Sequence, residues 1–169
     1  SPPPPMSPAN PATHGVDASQ VFAANGSNEV LQTVLLAYAG PGRTVATFEP
    51  TYQMHAQIAR VTGATVVEGE RADDFTLDPA EVERVLTEHS PHVVFLTSPN
   101  NPTGLVEPVE RVRQLLDLAP GLVVVDEAYA QFADWSALDL LGEDVPLVVT
   151  RTFSKTWSMA GARLGYLIG

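Results

Sequence analysis

Cysteine is missing from all 169 residues, which excludes a disulfide framework and a thiolate metal site and is compatible with a reducing, cytoplasmic setting. Basic side chains are scarce: nine Lys and Arg stand against twenty Asp and Glu, a formal net charge of −11. The clustered positive charge that a nucleic-acid backbone or an anionic membrane requires is therefore lacking, and neither is expected as a partner. Long apolar runs are lacking too. No segment approaches the span of a bilayer, and Ser1-Pro2-Pro3-Pro4-Pro5 has neither the basic nor the apolar region of a signal peptide. Residue 1 is not an initiator methionine, so a fragment or a trimmed chain is the expectation. Lysine occurs once, at Lys155, against eight arginines. No Walker-type glycine loop precedes it, which argues against a nucleoside triphosphatase. Of the four histidines, His89 and His92 straddle Pro91 without a nearby third ligand, and His14 and His55 are isolated, so no metal site is expected.

What is present is enough for one sizeable core: 44% of the residues are hydrophobic. Residues 1–20, rich in Pro, Ala, Ser and Asn, read as an extended arm, and residues 21–169 as one domain. Val21-Phe22-Ala23-Ala24 is a strand, broken at Asn25-Gly26-Ser27. Val30, Leu31, Val34, Leu35 and Tyr38 then recur at helical spacing until Gly40-Pro41-Gly42. Thr44 to Phe48 reads as the second strand, Gln53 to Thr62 as a helix and Ala64 to Val67 as the third strand. The polar stretch Glu68 to Thr76 is expected to cross the surface. Asp78-Pro79-Ala80-Glu81 combines an N-cap, a proline at the first helical position and a capping-box glutamate. His92 to Thr97 is the fourth strand and exits into Ser98-Pro99-Asn100-Asn101-Pro102-Thr103-Gly104, a run of turn residues. A helix from Pro108 is expected to bury Val109, Val112, Leu115 and Leu116. The fifth strand, Leu122 to Val125, leads into Asp126-Glu127-Ala128-Tyr129. Leu147 to Arg151 is the sixth, and Ala162 to Ile168 the seventh. Strands alternating with helices, several of them continuous Val/Leu/Phe runs, predict an α/β fold: a mostly parallel seven-stranded sheet with helices on both faces. The short sixth-to-seventh connection predicts that the last strand runs antiparallel.

Ligands of open α/β sheets sit outside the carboxyl ends of the strands, and the unusual polar clusters fall there: Asn25-Gly26-Ser27, Tyr52, Asn100-Asn101, Asp126 with Tyr129, and Thr152 to Lys155. Each has an ordinary reading by itself, as a turn, a cap, a solvated pair, a wet-tipped core ring or a lone surface charge. Together they suit one ligand. Gly26 and Ser27 open a helix whose free N–H groups suit a phosphate, and Arg163 can add a bidentate contact. Asp126 can hold a heterocyclic nitrogen protonated, Asn101 and Tyr129 can donate to a phenolate oxygen, and Tyr52 can cover a ring face. Lys155 can form a Schiff base with an aldehyde. A ring with these attachments is pyridoxal 5′-phosphate.

Ala24-Asn25-Gly26-Ser27-Asn28-Glu29, Glu49-Pro50-Thr51-Tyr52, Ser98 to Gly104, Asp126 to Tyr129, and Thr152-Phe153-Ser154-Lys155 through Arg163 resemble, in order and spacing from about Val21 to Gly169, the motifs of fold-type I aminotransferases. Among these they most resemble the histidinol-phosphate aminotransferases. The resemblance implies that Lys155 is the catalytic residue, carrying the cofactor and moving the proton between substrate Cα and cofactor C4′. It also implies that Asp126 pairs with the pyridine nitrogen, that Asn101 and Tyr129 take the phenolate oxygen, and that Tyr52 stacks on the ring. Gly26, Ser27, Thr152, Ser154 and Arg163 would surround the phosphate, with Asn28 beside them in the cofactor site. The implied reaction is transamination of histidinol phosphate with 2-oxoglutarate in histidine biosynthesis, by a homodimer that takes a small-molecule amino donor and a 2-oxo acid. Two alternatives stay open: an aromatic or broad-range aminotransferase, and a truncated cofactor-binding domain without catalysis. Family members are longer, and their C-terminal small domain, with the arginine that grips the substrate carboxylate, would lie beyond Gly169. The helix and tyrosine segment expected after the arm have no counterpart in residues 6–20. The expectation is cofactor binding by these residues alone, without useful turnover.

Overall fold

The computed structural model describes residues 17–152 and 165–169. Seven strands form one sheet: β1 (Val21–Ala24), β2 (Thr44–Glu49), β3 (Thr65–Glu70), β4 (Val93–Thr97), β5 (Leu122–Asp126), β6 (Leu147–Thr152) and β7 (Gly165–Ile168), in the spatial order β1-β7-β6-β5-β4-β2-β3. The pairs β2·β3, β2·β4, β4·β5 and β5·β6 are parallel. Strand β7 runs antiparallel to both β6 and β1, as the short connection predicted. Among the described residues four helices flank the sheet: α1 (Ser27–Tyr38), α2 (Met54–Val61), α3 (Pro79–His89) and α4 (Val109–Leu118).

The continuous apolar strands arise because both faces are covered. On one face Leu31 and Leu35 of α1 and Ala59 of α2 pack on Val45, Val93, Phe95 and Val124. On the other, Val82, Val85 and Leu86 of α3 and Val112 and Leu115 of α4 pack on Phe48, Val94, Leu96, Val123 and Val125. Alternation along β4 and β5 thus sends successive side chains into two separate cores, and no position in those strands can be polar without a partner. In α4 only Val112 and Leu115 are fully buried; Val109 and Leu116 are half-buried at the margin.

Two sequence expectations need correction. Strand β3 continues to Glu70 rather than stopping at Val67, pairing Glu49 with Glu70 at its end. It is an edge strand, half-covered, so glutamates at 68 and 70 point outward and the segment reads as a loop by composition. That longer strand redirects Glu81. Asp78 caps α3 by accepting from the Ala80 N–H at 2.8 Å, as expected. The Glu81 carboxylate, however, accepts from the Glu70 N–H at 3.0 Å and pairs with Arg84 instead of closing a capping box. A one-sided glutamate contact of this kind appears at α1, where Glu29 Oε2 accepts from the Asn25 N–H at 2.9 Å. The expected start of β7 at Ala162 lies outside the described residues, as do residues 1–16 of the arm.

Candidate active site

The carboxyl ends of β2, β4, β5 and β6 share one edge of the sheet, and there a row of polar side chains interrupts the apolar core. Asp126 ends β5 and is 3% exposed. Its Oδ1 accepts from the Ala128 N–H at 3.1 Å, and its Oδ2 lies 2.9 Å from Nε2 of His55. His55 is fully buried, on the first turn of α2. Its ring stacks on Phe95, with centroids 4.4 Å apart and planes 11° from parallel, and meets the Tyr52 ring edge-on at 5.3 Å. A ring nitrogen facing a carboxylate oxygen at this distance is stable only with a hydrogen between them, so Nε2 donates. Among the described residues Nδ1 has no hydrogen-bond partner. The role of His55 is not legible in the sequence because a single histidine within an amphipathic helix carries no motif; its place just after Tyr52, in the first turn of the helix that follows β2, was the available signal.

The Tyr52 hydroxyl donates to Asn28 Oδ1 at 3.2 Å, which joins the exit of β2 to the first turn of α1. That helix begins on Gly26, with φ 105° and ψ 162° and no side-chain cap. Only glycine adopts this backbone without strain. Because no hydroxyl or carboxylate of the N-cap residue occupies the first-turn N–H groups, the positive end of the helix dipole at this sheet edge is left without a side-chain cap from that residue. Strand β7 is pressed against the same turn: a Cβ on Gly165 would fall 2.5 Å from both Gly26 C and Ser27 N. Thr152, 8% exposed, pairs with Gly165 in the register of β6 and β7.

The loop after β4 is fastened on several sides. Asn100 is 2% exposed and fully engaged, and the Glu107 N–H donates to Ser98 Oγ at 3.0 Å. Glu107 also forms a buried ion pair with Arg71, which in turn donates to the Phe48 and Phe75 carbonyls. Asn101 is half-buried on this loop, and Tyr129, also half-buried, opens a single 3-10 turn after β5. The structure therefore brings Gly26, Ser27, Asn28, Tyr52, Asn101, Asp126, Tyr129 and Thr152 to one edge. Ser154, Lys155 and Arg163 lie outside the described residues. Among the described residues no group of three His, Asp or Glu is arranged to hold a metal ion, and no helix is long and apolar enough to cross a membrane.

The chain is similar in sequence and fold to known proteins. The histidinol-phosphate aminotransferase of Thermobifida fusca (strain YX) is 52% identical over 157 residues, covering 91% of this chain and 43% of that protein. The protein of the same name from Frankia casuarinae is 52% identical over 163 residues, covering 92% and 41%. Among solved structures, the histidinol-phosphate aminotransferase of Sinorhizobium meliloti in complex with pyridoxal-5′-phosphate superposes with a TM-score of 0.83 at 29% identity, covering 94% of this chain and 44% of that one. The aspartate aminotransferase of Thermotoga maritima gives 0.84 at 30%, covering 94% and 45%. The chain thus spans less than half the length of these relatives. The family model for aminotransferase class I and II matches residues 9–169, and the chain belongs to that family.

Proposed function

We propose that residues 21–169 form the cofactor-binding large domain of a pyridoxal-phosphate-dependent aminotransferase and that residues 1–20 are an arm attached to it. The observation that carries the reading is the Asp126 carboxylate, buried at a strand end and fixed by His55, on the same edge as the uncapped start of α1. The cofactor has a basic ring nitrogen at one side and a phosphate at the other, and the two protein features match those groups in kind. When bound, it supplies a sink for the electron pair left as the substrate Cα loses its proton.

The chain's own residues supply the rest. Asp126 accepts the hydrogen bond of the protonated ring nitrogen and holds that proton in place, and its donors from Ala128 and His55 keep the carboxylate from rotating away. The N–H groups at Ser27 and Asn28 take the phosphate, with Gly26 allowing their close approach and Thr152, Ser154 and Arg163 completing the shell. Tyr52 covers one ring face, and its bond to Asn28 keeps that cover in register with the phosphate. Asn101 and Tyr129 donate to the phenolate oxygen. Lys155 is the covalent attachment point and moves the proton between substrate Cα and cofactor C4′. Histidinol phosphate with 2-oxoglutarate is the substrate pair we favour, in histidine biosynthesis and in the cytoplasm; the names of the relatives at 52% identity support the first of these substrates.

A homodimer is the assembly we favour, supported by exposed Phe22 on β1 and Leu36 and Tyr38 on α1, apolar side chains that nothing covers among the described residues. The central test is chemical: borohydride reduction of the protein with pyridoxal phosphate, followed by peptide mapping, is expected to place the label on Lys155. Label on the N-terminal amine alone would overturn the reading.

A further inference from the structure

Asn100 precedes the residue assigned to the phenolate oxygen, yet its own side chain turns into the protein, where it is 2% exposed. Its Nδ2 donates to the Pro50 carbonyl at 3.0 Å and to Thr103 Oγ1 at 2.9 Å. Its Oδ1 accepts from Thr51 Oγ1 at 2.8 Å. The orientation of the amide is fixed by chemistry, because the Pro50 carbonyl can only accept and must face the NH2 group. The Thr51 hydroxyl has one hydrogen, spent on Asn100, so its 3.1 Å contact with Thr97 Oγ1 is a bond donated by Thr97. The backbone of Asn100 is held as well: its N–H donates to the Leu105 carbonyl and its carbonyl accepts from the Gly104 N–H, both at 2.7 Å.

This one amide therefore spans two loops that are about fifty positions apart in the chain. Pro50 and Thr51 lead directly into Tyr52 on one side of the crevice; Asn100 leads directly into Asn101 on the other. We propose that Asn100 is a positioning residue: it holds the Tyr52 loop and the Asn101 loop at a set separation, and through that separation sets the hydrogen bond that Asn101 offers the cofactor's phenolate oxygen. The inference rests on the cofactor reading above. An aspartate at 100 has the same shape but cannot donate, and it would turn an oxygen toward the Pro50 carbonyl. The loops then move apart, and Asn101 leaves its place without being altered.

The readout is the pH midpoint of the visible absorption of pyridoxal phosphate bound to the chain. A hydrogen bond to the phenolate favours its deprotonated form and lowers that midpoint. Asn101→Ala is expected to raise it by about one pH unit, and Asn100→Asp by roughly half of that. Thr51→Val removes the donor to Oδ1 while keeping the side-chain shape; it should shift the midpoint in the same direction by less, and it decides the matter if Asn100→Asp does not fold. Ser136→Ala, on the opposite face of the sheet, is the control. It should lower the thermal midpoint of the protein without moving the spectral one, which separates positioning from mere stability. A normal spectral midpoint in Asn100→Asp and Thr51→Val, beside a raised one in Asn101→Ala, would overturn the role of Asn100 and leave the cofactor reading standing. No titrating band in the wild-type chain, or no response to Asn101→Ala, would remove the cofactor reading and this inference with it.

Discussion

Asp126 and Glu127 are consecutive, and both are buried, at 3% and 4% exposure, but strand alternation sends them to opposite faces of the sheet. Asp126 enters the face covered by α1 and α2 and meets one ring, His55. Glu127 enters the other face and is held by three residues. Ser136 Oγ lies 2.6 and 2.9 Å from its two oxygens, the Ala137 N–H donates at 3.4 Å, and Arg151 Nη2 stands 3.3 Å away. Arg151 also donates to Ser136 Oγ, so the cluster closes on itself and ties the 127–141 segment to β6. Burial pushes the Glu127 carboxyl above its ordinary value, while Arg151 and Ser136 pull against that rise. Two adjacent acids thus do different work. The one held by three donating residues is part of the scaffold; the one with fewer partners, at the open edge of the sheet, has capacity left for a ligand.

The contrast can be broken most sharply at Asp126. In a form that also carries the family's small domain, Asp126→Asn should slow exchange of the amino substrate's Cα hydrogen with deuterium oxide by about 10²–10³-fold, because the ring nitrogen loses the charge that stabilises its proton. Borohydride should still fix the cofactor on Lys155. Loss of cofactor with unchanged exchange per bound cofactor would make Asp126 part of the scaffold as well.

Glu127→Ala should show the opposite pattern, a stability loss of about 3 kcal/mol in urea unfolding with the cofactor spectrum unchanged. That figure is at the low end for a broken buried pair, because the Arg151 side chain keeps 18% exposure and some contact with water. Glu127→Gln sharpens the same point through pH. With its folded value raised above its unfolded one, Glu127 contributes stability that is fully present below the unfolded value and is lost as pH rises through the folded one. The stability of wild type relative to Glu127→Gln should therefore fall as pH rises from below to above the ordinary value of 4.5. A relative stability that rises over that range would mean that Arg151 outweighs burial.

The smallest effect is expected at His55. Phenylalanine there keeps the stack on Phe95 but takes one donor from a buried carboxylate, a loss of about 1–3 kcal/mol. Both stability and the deuterium-exchange rate should fall, since Asp126 is then free to turn. An unchanged exchange rate at reduced stability would confine His55 to packing.

Much of this site was legible because strand-end chemistry is local. Gly26, Tyr52, Asn101 and Asp126 each follow a strand that apolar patterning reveals, and the sheet edge gathers whatever follows those strands. His55 and Asn100 were not legible in the same way. The first looked like an isolated histidine and the second like half of a turn dipeptide, because their partners, Asp126 and the Pro50–Thr51 loop, are distant in sequence. Glu81 shows the reverse error: a local motif predicted a capping box, and an N–H on a strand longer than expected drew its carboxylate away.

The order of strands and helices, the reversed last strand and the row of polar residues at one edge were thus determined by the sequence itself, since periodicity and turn chemistry act over a few residues. Tertiary structure alone decided which face each buried acid entered, that His55 Nε2 would meet Asp126, and that one asparagine would hold two loops together. Those outcomes depend on burial removing water from polar groups far apart in the chain. Once water is gone, each group must find its partner wherever the packed sheet has brought one within hydrogen-bonding distance.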